Sequence, residues 1–324
     1  MPTTLSPAPT GLPRLGQQLL PVLYQHRLVA TGQLHRMLTP HAHRPVYLRR
    51  VLNQVRGLGL VDCTTRRAGR MGGAELLWFV TPRGADIVEA SREVTGRAYR
   101  ISPETAASQL QEHTLTVVET GLAFTTWAQA LGDECGPLDW EPELVHRVRD
   151  GENRLGDDAL LIPDAVLRYT RTTPTGRRLL TYFLEIDRAT MQVGRLGRKL
   201  TSYARYATYV PAPPPGHRSP TTVAGREAWR DRYPAVPRLL IVLTGASNAV
   251  LSRRIEDLRA LAAADTRVRR TPQLAVGITT LEQLKSHGPF APIVTPLLGD
   301  PISGDILLSV PPADVISSAD QVVR

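Results

Sequence analysis

From residue 104 onward the apolar residues change their spacing in one order: helix, three strands, helix, strand, helix, strand. Glu104 to Leu131 carries Leu110, Val117, Val118, Leu122, Phe124 and Leu131 at helical spacing. Leu138 to Val148, Ala159 to Tyr169 and Leu179 to Ile186 read as strands, and Gln192 to Tyr209 as a helix. After a Pro-rich insertion over 211–220 come a buried strand at Pro237 to Thr244, a helix at Asn248 to Ala264 and a strand at Gln273 to Ile278. Strands interleaved with helices confine this part of the chain to an α/β fold around a central mixed sheet. The residues after Pro289 are punctuated by Pro and Gly and suggest no role, so 104–285 is the expected domain and 286–324 an unassigned tail.

The first hundred residues follow another pattern. Leu15, Leu19, Leu20 and Leu23 fall at helical spacing, with Pro21 predicting a kink or two short pieces. Thr31 is the expected N-cap of a second helix that carries Leu34, Met37 and Leu38 and stops at Pro40. A third, from about Pro45 to Arg56, buries Val46, Leu48, Val51, Leu52 and Val55 and turns Arg44, Arg49, Arg50, Asn53, Gln54 and Arg56 outward. Then come a strand from Gly57 to Val61, a polar Gly-rich tip with Arg66, Arg67 and Arg70, the strand Leu76 to Val80 and a closing helix at Ala85 to Ala90. Three helices, a hairpin and a closing helix are the parts of a winged helix, expected over residues 12–95.

Charge separates the same two regions. Residues 1–100 hold 14 basic residues against 5 acidic ones, whereas 101–324 hold 25 of each, so the whole net charge of +9 lies in the first third. That asymmetry predicts an anion-binding module, and nucleic acid is the commonest polyanion. Only 2 of the 39 basic residues, Lys199 and Lys285, are lysines. No run approaches the roughly 18 apolar residues of a membrane span. Cys63 and Cys135 are too few for a disulfide scaffold or a thiolate zinc site. The first 11 residues have neither the basic start nor the apolar core of a secretory signal. The expected location is the cytoplasm, at the nucleoid.

The stretch "GLVDCTTRRAGRMGGAELLWFVTPRGADIV" resembles the winged helix-turn-helix family. That resemblance implies double-stranded DNA as partner, with the third helix in the major groove and the wing beside it. Arginines at phosphates would give salt-dependent affinity, and Arg49, Arg50, Asn53 and Gln54 have the chemistry to reach base edges. The alternative is a solvated polar face with a wing that binds protein. A palindromic target would favour a homodimer.

Within the second region "LLIPDAVLRY" places Asp164 after Pro163 in a strand, and "TYFLEIDRAT" puts Glu185 and Asp187 on one face of the next strand. Carboxylates on neighbouring strands can share a divalent cation such as Mg2+ or Mn2+, which activates water and stabilises charge on a phosphate. Pro163-Asp164 and Glu185 resemble the restriction-endonuclease-like superfamily, whose signature is Pro-Asp followed by Asp/Glu-x-Lys. Asp187 stands where the lysine belongs, and Lys199 in the following helix is the expected substitute. Asp164, Glu185, Asp187 and Lys199 are thus the candidate catalytic set, and the three acids the candidate metal ligands. Tyr203, Tyr206 and Tyr209 read first as amphipathic packing, His113 as a core histidine, and Glu141 and Glu143 as edge charges. His41-Ala-His43 superficially resembles a relaxase metal motif but lies in an inter-helix loop between prolines.

A winged helix followed by "LIPDAVLRY", "FLEIDRATM" and "GRKLTSYARY" resembles the replication-relaxation family of actinobacterial plasmids, phages and integrated elements. The resemblance implies DNA binding, with a metal-dependent nickase or nuclease acting in replication or transfer as one outcome. The other outcome is a non-catalytic initiator, accessory factor or regulator with a nuclease-like platform, working with replication or transfer proteins. A repressor with a small-ligand domain is a third.

Overall fold

This computed structural model describes residues 11–67, 73–91, 111–150, 159–212 and 225–308. Their contacts divide into two units, Met1–Leu144 with Pro163–Thr181, and Val145–Ile162 with Tyr182–Arg324. Residues 96–103, between the two expected domains, lie outside the described residues, and the contacts divide the chain at other points.

The first unit opens with α1 (Arg14–His26), β1 (Val29–Ala30), α2 (Thr31–Leu38) and α3 (Val46–Gly57). Then follow β2 (Val61–Arg67), β3 (Ala74–Val80) and α4 (Pro82–Ser91). Of the two outcomes expected at Pro21, two short pieces do not occur: α1 is one helix with Pro21 inside it. Proline removes one backbone hydrogen bond, and the burial of Leu19, Leu20, Val22 and Leu23, none more than 3% exposed, outweighs that loss. Thr31 is the first residue of α2 and not its cap. Its hydroxyl donates to the Leu76 carbonyl (3.2 Å) and accepts from Trp78 Nε1 (2.9 Å), while Gln33 Oε1 accepts from the Ala30 N–H (3.2 Å). The strands form an antiparallel sheet in the order β1-β3-β2, with Val29 opposite Trp78 and Val61 opposite Val80. β1 is only two residues long, too short to leave a periodic signal.

The long helix, α5 (Gln111–Leu131), belongs to this unit as well; residues 104–110 of its expected span lie outside the described residues. Leu115 shares a buried cluster with Leu28, Ala30, Leu77 and Phe79. Gln33 Nε2 donates to the Leu115 carbonyl (2.9 Å), and Arg36 forks onto Glu119 (2.8 and 2.5 Å). Gly121 lets α5 approach the fully buried Trp140, because a Cβ there would lie 2.2 Å from the indole.

Two expected strands are each cut in half. Leu138 to Val148 yields β4 (Trp140–Pro142) and β5 (His146–Arg147), separated by Glu143 at φ 53°. A left-handed residue ends an extended run. Ala159 to Tyr169 yields β6 (Leu160–Leu161) and β7 (Ala165–Thr173), separated by Pro163, which has no N–H to pair. β4 pairs antiparallel with β7 in the first unit, and β5 with β6 in the second.

The second unit takes the C-terminal half of β8 (Gly176–Asp187), then α6 (Val193–Thr208), the 3-10 turn Ala228–Asp231 and β9 (Arg238–Leu243). After these come α7 (Asn248–Ala264), α8 (Thr266–Arg269), β10 (Val276–Thr280), α9 (Leu281–His287) and β11 (Thr295–Pro296). The sheet order β11-β10-β9-β8 is mixed: β8, β9 and β10 run parallel, and β11 is antiparallel to β10. Leu239 to Leu243 are wholly buried, as an unbroken apolar run requires. α6 and α7 pack together. The described residues beyond 286 also join this unit: β11 extends the sheet, and the Ile306 carbonyl accepts from the Tyr182 hydroxyl (2.9 Å).

Candidate functional site

In the first unit α3 has two sharply different faces. Leu48, Val51, Leu52 and Val55 are at most 1% exposed, whereas Arg49, Arg50, Asn53 and Gln54 are exposed, as is Arg44 just before the helix. Among the described residues no ion pair or hydrogen bond engages those five side chains. Val46, expected in the core, is 62% exposed, and Tyr47 beside it 53%. Both lie in the first helical turn, outside the stripe set by Leu48, Val51, Leu52 and Val55.

The hairpin is arranged differently from expectation. Arg66 is half-buried, its guanidinium between Glu75 (2.8 Å) and Glu112 of α5 (2.5 Å). It is therefore engaged within the unit and not presented at a tip. The Arg67 side chain and Arg70 lie outside the described residues. His41 and His43 are exposed in the loop between α2 and α3.

In the second unit Phe183, Glu185 and Asp187 alternate along β8 onto the side that α6 and α7 cover. Lys199 Nζ donates to Glu185 Oε2 (2.6 Å), and the Tyr203 hydroxyl donates to Glu185 Oε1. The expected reach of Lys199 to a carboxylate is thus present, and Tyr203, read as packing, joins it. Glu185 is 4% exposed, so its charge is held by these partners and not by water. Asp187 accepts from Arg254 of α7 through both guanidinium Nε and Nη2, and from the Ala189 N–H (2.9 Å). Arg254 also donates to the Met191 carbonyl (2.5 Å). Asp187 is thereby the brace of the turn between β8 and α6.

Asp164 lies at the bend before β7, not within a strand, in the first unit. His113 is not a core histidine: its side chain is 35% exposed and its Nε2 lies 3.4 Å from Asp164 Oδ1. Tyr206 packs against His146 and Phe183, and burial pushes its hydroxyl pKa upward. Tyr209 donates to Asp150 (2.8 Å). Glu143 pairs with Arg27, and Glu141 lies 3.8 Å from Arg168, as edge charges do.

A family model described as replication-relaxation matches residues 20–216, more than half of the chain. This chain belongs to the replication-relaxation family. No curated protein and no solved structure matches it. The replication-relaxation match takes in α3, Asp164, Glu185, Asp187 and Lys199, and stops short of Arg254. The family description points to a role in replication or relaxation. No helix among the described residues is long and apolar enough to cross a membrane.

Whether this replication-relaxation protein can hold a divalent cation depends on its donors. Mg2+ or Mn2+ requires several open oxygen ligands. Glu185 is taken by an ammonium and a phenol, and Asp187 by a guanidinium and a backbone N–H. Among the described residues no group of three or more His, Cys, Asp or Glu side chains is placed to hold a metal. Glu185 and Asp187, so partnered, do not offer such an ion open ligands. Sequence reasoning missed Arg254, because one more arginine among 37 carries no signal by itself.

Proposed function

We propose that this protein is a DNA-binding member of the replication-relaxation family whose first unit grips a duplex as a winged helix. The observation that carries the reading is α3: four exposed polar side chains, and Arg44 just before the helix, have no internal partner among the described residues, and the four are backed by a fully buried apolar stripe. A helix with that division suits the major groove, with arginine, asparagine and glutamine facing base edges and phosphates. The helix order, the β1-β3-β2 sheet and the charge excess of the first hundred residues support it. In this reading the second unit is a non-catalytic platform, since its two strand-borne carboxylates are already neutralised by Lys199 and Arg254.

The test is fluorescence anisotropy with labelled duplexes at several salt concentrations. The Arg49→Ala/Arg50→Ala variant should bind more weakly and lose about 1.8 from the slope of log affinity against log salt, at roughly 0.9 per phosphate contact. An unchanged slope and affinity would remove α3 from the interface.

A cleaving role is the second reading, favoured by the contact of Lys199 with Glu185. It requires nicking of supercoiled DNA with Mg2+ or Mn2+ that disappears in Asp164→Ala and Glu185→Ala. Equal residual nicking in all three proteins, or none in any, removes it.

A further inference from the structure

The second unit carries a basic surface that the family resemblance did not assign. α6 holds Arg195, Arg198, Lys199 and Arg205 and not one acidic residue. It lies in a region, 101–324, whose charges balance as a whole. Ordinary surfaces intersperse the two signs. Among the described residues, the acids that meet α6 or its C-cap bond side chains other than Arg195 and Arg198: Glu185 bonds Lys199 and Tyr203, Asp265 the Thr201 hydroxyl (2.6 Å), and Asp150 Tyr209. Arg195 and Arg198 remain. They are exposed, three residues apart on one helix face, and among the described residues no hydrogen bond or ion pair engages them.

The position of Arg195 is also the wrong end of the helix for stability. It lies in the first turn, where the helix dipole favours anions and disfavours cations. No acid occupies the first turn, and Gln192 makes no capping bond. Gly194 adds a second oddity. It is exposed, and a Cβ there would meet nothing within 4 Å, so internal packing does not require glycine where alanine is the better helix former. A bare backbone beside two uncommitted guanidinium groups suits close approach by a phosphate from outside.

We propose that the face of α6 bearing Arg195 and Arg198 is a second phosphate-contacting surface, by which the second unit holds the backbone of DNA. The inference rests on the DNA-binding reading and deepens it. Contacts of this kind position a protein on the duplex without reading bases. They therefore add to affinity and salt dependence equally for every sequence.

The experiment compares the full-length protein with Arg195→Ala/Arg198→Ala, with Arg49→Ala/Arg50→Ala, and with Arg269→Ala/Arg270→Ala. The last pair removes the same charge from exposed sites at α8. Anisotropy is read across roughly 50–200 mM salt on a specific and an unrelated duplex. The expected result is a slope smaller by about 1.8 for Arg195→Ala/Arg198→Ala. Its loss of affinity should be the same on both duplexes, its melting temperature should match wild type, and the α8 variant should show little change. Binding by Arg195→Ala/Arg198→Ala equal to wild type, or weakened no more than by the α8 variant, overturns the inference while leaving α3 intact. A wild type that binds neither duplex, or an α3 variant that binds normally, overturns the underlying reading instead.

Discussion

Asp187 stands two residues after Glu185 on β8, and its partners explain what an acid does there. The carboxylate, 7% exposed, takes Arg254 on one side and the Ala189 N–H on the other, tying the end of β8 to α7 and to the turn that opens α6. Arg254→Ala strands a buried charge, which costs about 3–5 kcal/mol. Urea unfolding should show that loss, and adding Asp187→Leu should recover much of it. Asp265 offers a pH test. The Thr201 hydroxyl, followed by the N–H groups of Val268 and Arg267, holds its pKa below the usual 3.8. A carboxyl whose folded pKa is depressed stabilises the fold fully above its unfolded pKa and loses that contribution as pH falls through the folded one. Asp265→Ala should therefore cost about 1 kcal/mol at neutral pH, as for other N-caps. The gap to wild type should close below about pH 4 in thermal melts.

Elements show where sequence reasoning reaches and where it stops. α7 runs over Asn248–Ala264 as its periodicity says, and β9 is the apolar run it reads as, because both signals are local. The halving of two strands was not legible. Pro163 marks one break, yet the left-handed Glu143 has no local cause in the sequence. Lys199 was legible as the partner of a strand carboxylate because lysine is rare in this chain. Arg195, Arg198 and Arg254 were hidden among arginines. Helix propensity also misleads at Gly121. Alanine there should gain about 1 kcal/mol by propensity. The added methyl would meet the Trp140 ring at 2.2 Å, and overpacking of that kind costs about 1–3 kcal/mol. Gly121→Ala should lower the melting temperature, whereas an exposed glycine such as Gly194, mutated to alanine, should raise it slightly.

For the molecule as a whole the proposed non-catalytic role of the second unit makes a prediction about divalent cations. A ligand at one hundred times its dissociation constant stabilises a fold by about 2.7 kcal/mol. With Glu185 and Asp187 already neutralised, millimolar Mg2+ or Mn2+ should leave the melting temperature of the wild type where it is. A rise of several degrees that Glu185→Gln abolishes would mean the carboxylates open to a cation. The path of the chain carries a consequence of its own. Because it leaves the first unit at Leu144, returns at Pro163 and leaves again at Thr181, three covalent crossings stitch the units together. Neither can be excised as one continuous piece of polypeptide. A ribosome that has released only the first 144 residues has not yet supplied β7, so the first unit can be completed only after part of its companion has been synthesised.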